Sequence, residues 1–438
     1  MPVTTALFAL LMTIAAPAQP PVAVPVAIVA PAVGAPPSST MAPPPVFEWF
    51  DSENFEELKE VKPSTLLKSL RKGRRFAKFE TGTQKRPFAD GTGRETQLHL
   101  YVPKKPTGIV FLLHGLGGGG GQLMPHYEQW AERSGLILAA PSARKLGKVK
   151  NEDWSSTAES LQHWWSYRPD GFVLSALSVL KREFPINEDR VYLSGYSMGG
   201  FGTWNLGLRY PDRFAAAAPI AGGISQHEYQ IERDDKLRAL VANASQLPFY
   251  IVHGEADQTV SVDHDRKTRA QLQKLGYEHE YREISGAGHI LDVRAGSPLM
   301  KGIQAWLGDR TRKSHPTTVR FHSLGEYMNQ AYWIRIDEYD GEGPGDVTAK
   351  IRKNNQITIE TKGVKKLTVF IDDTRIKLLR PVVITWNGTE VHKKKVKSSS
   401  EAIIESWRAR EDRQLLYPAM VTIEIPAEED TEKKGADE

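Results

Sequence analysis

The 438-residue chain carries 57 Lys and Arg against 53 Asp and Glu, a formal net charge of +4, too small a surplus at this length to mark a dedicated nucleic-acid binder. It has no cysteine, which excludes disulfides, thiol nucleophiles, thiolate metal sites and cysteine-borne lipid anchors. With 40% hydrophobic and 25% charged residues the composition is that of a soluble globular protein, and the length predicts two domains with tails.

The chain opens with an apolar run, Ala6 to Ala15, followed by Ala16-Pro17-Ala18, a small-residue pattern that a signal peptidase cuts. The run is too short to cross a bilayer comfortably, so residues 1–18 are expected to be a signal peptide, although no Lys or Arg precedes Lys59 to give it a positive end. The expected product is an exported protein, secreted or periplasmic, without an integral membrane span in the mature chain. Residues 19–45 are almost wholly Pro, Ala and Val. Proline this dense forms neither helix nor central strand, and predicts a semi-extended linker. The basic run from Lys68 to Lys78 reads as a solvated helix face.

Alternating strand and helix patterns begin near Thr96. Gln97 to Val102 alternates like an early strand, and Gly108 to His114 is the continuous apolar run of a strand buried on both faces. Helices are expected from Met124 to Arg133, Gly171 to Phe184, Met198 to Arg209, Val262 to Leu275 and Ser297 to Leu307. Between them fall strands Leu136 to Ala140, Val191 to Ser194, Ala215 to Ile220, Leu247 to His253 and Glu278 to Ile284. This order predicts right-handed crossovers and a mostly parallel sheet covered on both faces, an α/β fold over residues 46–313. After about Lys313 the period drops to two. Seven short strands are expected: Ala331 to Ile336, Val347 to Arg352, Gln356 to Thr361, Lys366 to Ile371, Val382 to Trp386, Glu390 to Lys394 and Met420 to Ile425. With one helix from Glu401 to Leu415 they suggest an all-β, sandwich-like accessory domain over residues 317–426, followed by a charged disordered tail, 427–438.

The stretch that carries chemistry is Gly195-Tyr196-Ser197-Met198-Gly199, placed between a strand and a helix. A serine hydroxyl is a poor nucleophile at neutral pH and needs a base beside it and donors for the oxyanion formed on attack. A sharp strand-to-helix turn projects Ser197 out of the sheet and frees the N–H of Met198 at the helix start. The second donor should come from the loop after an earlier strand, and in His114-Gly115-Leu116-Gly117 the N–H of Leu116 is the candidate. The glycine run there is no phosphate loop, since Gly121 is followed by Gln122-Leu123 rather than Lys-Ser. The His114 side chain reads as structural. The nucleophile's partners should follow as an acid and then a histidine, each just past a later strand. His253-Gly254-Glu255-Ala256-Asp257 offers Asp257, with Glu255, Asp263 and Asp292 as rivals, and Ser285-Gly286-Ala287-Gly288-His289 offers His289. The histidines are otherwise scattered, with no His-Glu-x-x-His pattern, so no metal and no other cofactor is expected.

Taken together, Gly-Tyr-Ser-Met-Gly-Gly, His-Gly-Glu-Ala-Asp-Gln-Thr-Val and Gly-Ala-Gly-His resemble the motifs of α/β-hydrolase serine esterases of the polyhydroxybutyrate depolymerase and feruloyl or acetyl-xylan esterase type, with prolyl-oligopeptidase-like hydrolases as near neighbours. The resemblance runs from about Thr96 to Leu307. It implies Ser197 as nucleophile, His289 as base, Asp257 as acid, and Leu116 and Met198 as oxyanion donors. It also implies a small-molecule or polymer-linked carboxylic ester as substrate and an acyl-enzyme intermediate. The long connection Ser142 to Asp170 holds Trp154, Trp164 and Trp165, rings that could stack on an aromatic acyl group or a sugar. A peptidase using the same residues, or a glycan-binding protein that holds polysaccharide through its C-terminal domain beside a vestigial hydrolase, are the alternative readings.

Overall fold

A computed structural model describes residues 55–73, 75–91, 93, 95–143, 171–224, 238–341 and 343–424. The expected signal peptide, linker and charged tail lie outside them, as do Trp154, Trp164 and Trp165. Backbone contacts divide the chain into two units, Met1–Pro44 and Pro45–Glu438, and the described residues all belong to the second.

Two short helices, α1 (Phe55–Lys59) and α2 (Pro63–Lys72), precede an eight-stranded sheet. Its strands are β1 (Gly82–Ala89), β2 (Glu95–Val102), β3 (Gly108–Leu113), β4 (Leu136–Pro141), β5 (Val191–Tyr196), β6 (Ala216–Ile220), β7 (Phe249–Gly254) and β8 (His279–Ile284). They lie in the order β1-β2-β4-β3-β5-β6-β7-β8. The pairings of β2 with β1 and with β4 are antiparallel; every pairing from β4 to β8 is parallel. The five central strands β3 to β7 are buried at every position except Tyr196, which is why they read as apolar runs without alternation. Helices α3 (Met124–Ser134), α4 (Phe172–Glu183), α5 (Met198–Arg209), α6 (Asp263–Leu275) and α7 (Pro298–Gly308) connect or cover them. Pro125 opens α3 and a left-handed Gly135 closes it.

The β-rich part forms two sheets. One pairs β10 (Gln330–Ala331), β11 (Ile334–Tyr339), β14 (Val364–Ile371) and β17 (Ala419–Glu424), in that order. The other pairs β16 (Thr389–Lys394), β15 (Val382–Trp386), β13 (Gln356–Lys362), β12 (Gly345–Arg352) and β9 (Thr318–Ser323), again in that order. Ile336, Leu367 and Val369 of the first sheet and Val347, Ile359 and Trp386 of the second belong to one buried cluster, which continues into Leu177, Leu193 and Phe249 of the α/β part.

Three expectations are corrected. The strand expected from Ala331 to Ile336 is broken, because Tyr332 takes φ 50° and turns its backbone toward a buried ionic cluster. The helix expected to reach Leu415, α8 (Ser400–Arg408), stops at Arg408, since Arg410 and Asp412 serve that same cluster. Strands β1 and β9 are additions that the sequence pattern does not mark.

Candidate active site

Strand β5 ends at Tyr196 and helix α5 begins at Met198, so Ser197 alone makes the reversal. It does so at φ 56°, ψ −116°, a region that side-chain-bearing residues avoid at a cost of about 1–3 kcal/mol. Its N–H donates to the Ile220 carbonyl at 2.8 Å, which fastens the turn to β6. Glycine is required on either side by contact. A Cβ on Gly199 would lie 1.9 Å from the Leu113 carbonyl oxygen, and one on Gly195 would lie 2.2 Å from the carbonyl oxygen of Gly199.

The loops leaving β7 and β8 bring two more side chains to this point. His289 Nε2 stands 2.9 Å from Ser197 Oγ, and His289 Nδ1 stands 2.7 Å from Asp257 Oδ2. The other carboxylate oxygen of Asp257 accepts from the amides of Thr259 and Val260 at 2.8 and 2.9 Å. Burial by itself would raise this carboxyl; the Val260 amide, the His289 ring and the Thr259 amide outweigh it and hold Asp257 below its ordinary value. An ionised Asp257 only accepts, so Nδ1 of His289 carries the hydrogen and Nε2 is left to take one from the serine hydroxyl.

The loop after β3 lies alongside. A Cβ on Gly115 would sit 3.6 Å from Ser197 Cβ, and Gly117 takes φ +75° where the loop turns back. His114 is fully buried beneath it. Its Nε2 accepts from the Ala143 amide at 2.9 Å, so its Nδ1 carries the hydrogen and donates to the Gly115 carbonyl at 2.7 Å. Burial lowers its pKa, in keeping with a neutral ring that shapes the loop. Leu116 is 57% exposed at the tip, whereas Met198 is buried. Met198 holds the first amide of α5, a group with no carbonyl one turn back to meet.

Residues 89–306, which contain all of these groups, match the family described as "Putative esterase". Through this segment the chain belongs to the α/β-hydrolase esterases. Three curated relatives illustrate the likeness. An uncharacterized secreted protein of Arthroderma benhamiae is 34% identical over 22% of this chain and 12% of its own length. A bifunctional acetylxylan esterase/xylanase of Neocallimastix patriciarum is 29% identical over 58% of this chain and 34% of its own. Feruloyl esterase B of Talaromyces stipitatus is 33% identical over 32% of this chain and 39% of its own. The chain thus spans about two-fifths, or less, of the length of each.

The acids that rival Asp257 in the sequence are engaged elsewhere. Glu255 holds the loop before His289, accepting from Ser285 Oγ at 2.7 Å and from the Gly286 amide at 2.9 Å. Asp263 pairs with Arg266, and Asp292 with Arg294. Among the described residues no cluster of His, Asp and Glu could hold a metal ion, and no helix is long and apolar enough to cross a membrane.

Sequence reasoning missed three residues of the site. Tyr196, one position before the serine, donates its hydroxyl to the His289 carbonyl and accepts from the Leu291 amide at 2.9 Å, so it clasps the histidine loop from both sides. Its ring meets the His289 ring edge-on at 5.8 Å between centroids. His253 and Asp265 form a second, fully buried histidine–carboxylate pair behind Asp257. Tyr196 and His253 stand inside the serine and aspartate motifs and could have been found there; Asp265, on a helix face, gives no signal.

Proposed function

We propose that this chain is a serine carboxylic-ester hydrolase working through Ser197, His289 and Asp257. The observation that carries the reading is the relay from Ser197 Oγ to His289 Nε2 at 2.9 Å and from His289 Nδ1 to Asp257 Oδ2 at 2.7 Å. Ser197 Oγ attacks the ester carbonyl carbon as its proton passes to His289 Nε2. The tetrahedral oxyanion is held by the N–H groups of Leu116 and Met198, aided by the N-terminal end of α5. Collapse expels the alcohol, which leaves with the proton from His289, and Ser197 remains acylated. Water then attacks the acyl carbon, gives a proton to His289, and the acid departs as Ser197 recovers its hydrogen. Asp257 keeps the imidazole in the useful tautomer and offsets the charge it gains.

The backbone strain at Ser197 supports a working site over a vestigial one, because a non-catalytic serine would relax out of it or be held there at a cost without return. Two exposed apolar side chains stand on the flanking loops, Leu116 at 57% and Ile290 at 85% exposure. They favour an acyl or alcohol group with apolar surface, as does the likeness to a feruloyl esterase. Trp154, Trp164 and Trp165 remain our candidates for stacking on such a group. Export is proposed from the apolar N-terminal run and the likeness to a secreted relative. We assign residues 46–313 to catalysis and residues 317–426 to an accessory part, with polysaccharide as its proposed ligand.

The test is hydrolysis of nitrophenyl acetate and methyl ferulate by the full chain, with fluorophosphonate labelling. Ser197→Ala should lose labelling and lower kcat by about four decades or more. Equal rates in wild type and variant would end the proposal.

A further inference from the structure

Asp257 faces two imidazoles. Its Oδ2 lies 2.7 Å from Nδ1 of His289 and 3.4 Å from Nε2 of His253. The His253 side chain is fully buried, and each of its ring nitrogens faces an acceptor. Nε2 is 3.0 Å from the Val260 carbonyl oxygen, and Nδ1 is 2.7 Å from Asp265 Oδ2. A carbonyl only accepts, so Nε2 bears a hydrogen. Burial pushes the Asp265 carboxyl up, and His253 and the Trp204 indole, which donates to Asp265 Oδ1 at 2.9 Å, oppose it. With the second hydrogen on Nδ1 the ring is an imidazolium paired with a buried carboxylate, and with it on Asp265 Oδ2 both groups are neutral.

Resting on the esterase reading above, we infer that His253 and Asp265 are positioning residues: the His253 imidazolium fixes Asp257 and tempers its charge, and thereby sets the basicity of His289. The fixing is visible in the backbone. His253 Nε2 holds the carbonyl of Val260, and the amide of that same residue holds Asp257 Oδ1. The turn that presents the acid is thus fastened to the floor of the sheet. The tempering follows from Coulomb's law, since a cation 3.4 Å from the carboxylate draws on the oxygen that His289 also uses. The titratable groups that act on the ring are Asp257 on the turn and Asp265 on α6; His264 on α6 and Tyr281 on β8 face Asp265, and His289 lies beyond Asp257. Burial opposes charge on His253, but the Asp265 carboxylate, the Val260 carbonyl and Asp257 overcome it and raise its pKa.

Asp265→Asn is the near-isosteric probe. The amide oxygen still accepts from Trp204, and the amide nitrogen donates to Nδ1, which leaves His253 neutral with Nε2–H in place. Asp257 then loses its cationic neighbour and pulls harder on the proton of His289. The acid limb of kcat/KM for nitrophenyl acetate should move up by about half to one pH unit, with KM little changed. A folded Asp265→Asn protein, of unaltered thermal midpoint, whose acid limb coincides with wild type would overturn the inference. An independent readout does not require turnover. Long-range proton–nitrogen spectra of Ser197→Ala, with His253 assigned by its loss in His253→Gln, should show both ring nitrogens protonated at about pH 8, well above the ordinary histidine value of about 6.5. A singly protonated ring there would overturn it equally. Neither result bears on whether Ser197 is the nucleophile, which the labelling experiment decides separately.

Discussion

Two buried polar clusters occupy this molecule, and they are built to opposite ends. Where the α/β part meets the C-terminal sheets, Arg312 donates to both oxygens of Asp412, at 2.7 and 3.0 Å, and to Asp189 at 2.9 Å. Beside it Arg410 donates to Asp212 at 2.7 Å and to the carbonyl of Tyr332 at 2.8 Å. Each carboxylate there meets a planar guanidinium fork, a geometry that holds one arrangement and resists exchange. The active-site cluster instead uses single-file contacts between imidazoles, carboxylates and a hydroxyl, groups whose protons can move. It ends on a serine whose backbone is strained and whose surface is partly open. One network joins parts of the fold; the other is arranged to pass a proton.

Damage to each cluster in turn should make a different property fail. Asp257→Asn keeps the shape of the acid but favours the wrong imidazole tautomer, and kcat for ester hydrolysis should fall by about four decades. Its thermal midpoint should move little, because the Thr259 and Val260 amides can still donate to the amide oxygen. Steady-state kinetics and a melting curve on the same sample check both halves.

Arg312→Ala should behave in reverse. It leaves buried Asp412 with only Lys181 Nζ, 3.6 Å away, and the partly exposed Asp189 without its guanidinium, at a cost of about 3 kcal/mol in urea unfolding. The rate per folded molecule should stay near wild type. Replacing the pair together, as Arg312→Met with Asp412→Leu, removes both charges and should recover part of that loss, the rest staying with Lys181 and Asp189, which then lack their partners. Recovery would show that the cluster acts by matching charges rather than by any one residue's packing.

Acid separates the two clusters further. For Asp412 and Asp212 burial favours the neutral acid, but Arg312 and Arg410 respectively prevail and hold both carboxyls below the ordinary value. A carboxyl depressed in the folded state lends stability above its unfolded pKa of about 3.9, and that stability is lost as pH falls through the folded value. The thermal midpoint should therefore hold steady down to about pH 5 and drop below about pH 4. Ester hydrolysis rests on a different set of groups and should not follow the thermal midpoint. Coincident losses of rate and structure would contradict this division between the clusters.

How much of the molecule is legible in its sequence follows from the range of the signals. The parallel sheet announces itself because strands buried on both faces are unbroken apolar runs, and Ser197, Asp257 and His289 each sit where such a run ends. Strand β1 hides because it pairs at the sheet edge with most positions partly exposed and carries Pro87, so neither hydrophobicity nor propensity marks it. The interruption at Tyr332 and the early end of α8 have a common cause. Both segments give backbone or side-chain groups to the Arg312 and Arg410 cluster, whose members lie as far apart as Asp212 and Arg410, beyond any local pattern. His253 opens the motif that contains Asp257, yet its role stays hidden there, since its partner Asp265 approaches only once α6 has packed on the sheet.

The finest distinction concerns Tyr196, which belongs to neither cluster yet decides how well one of them is aimed. Its hydroxyl joins the carbonyl of His289 to the amide of Leu291, so it sets the path of the backbone that carries the base. Tyr196→Phe keeps the ring and its edge contact with His289 but strands a carbonyl and an amide in a half-buried loop. A lost hydrogen bond of this kind costs about 1 kcal/mol of stability. The larger consequence is angular, because His289 Nε2 has to meet Ser197 Oγ at hydrogen-bond distance for proton transfer. We expect kcat to fall about tenfold, the equivalent of about 1.4 kcal/mol in the barrier, with KM nearly constant. A rise in KM at unchanged kcat would instead mean that Tyr196 contacts substrate, and would move it from the frame of the site to its binding surface.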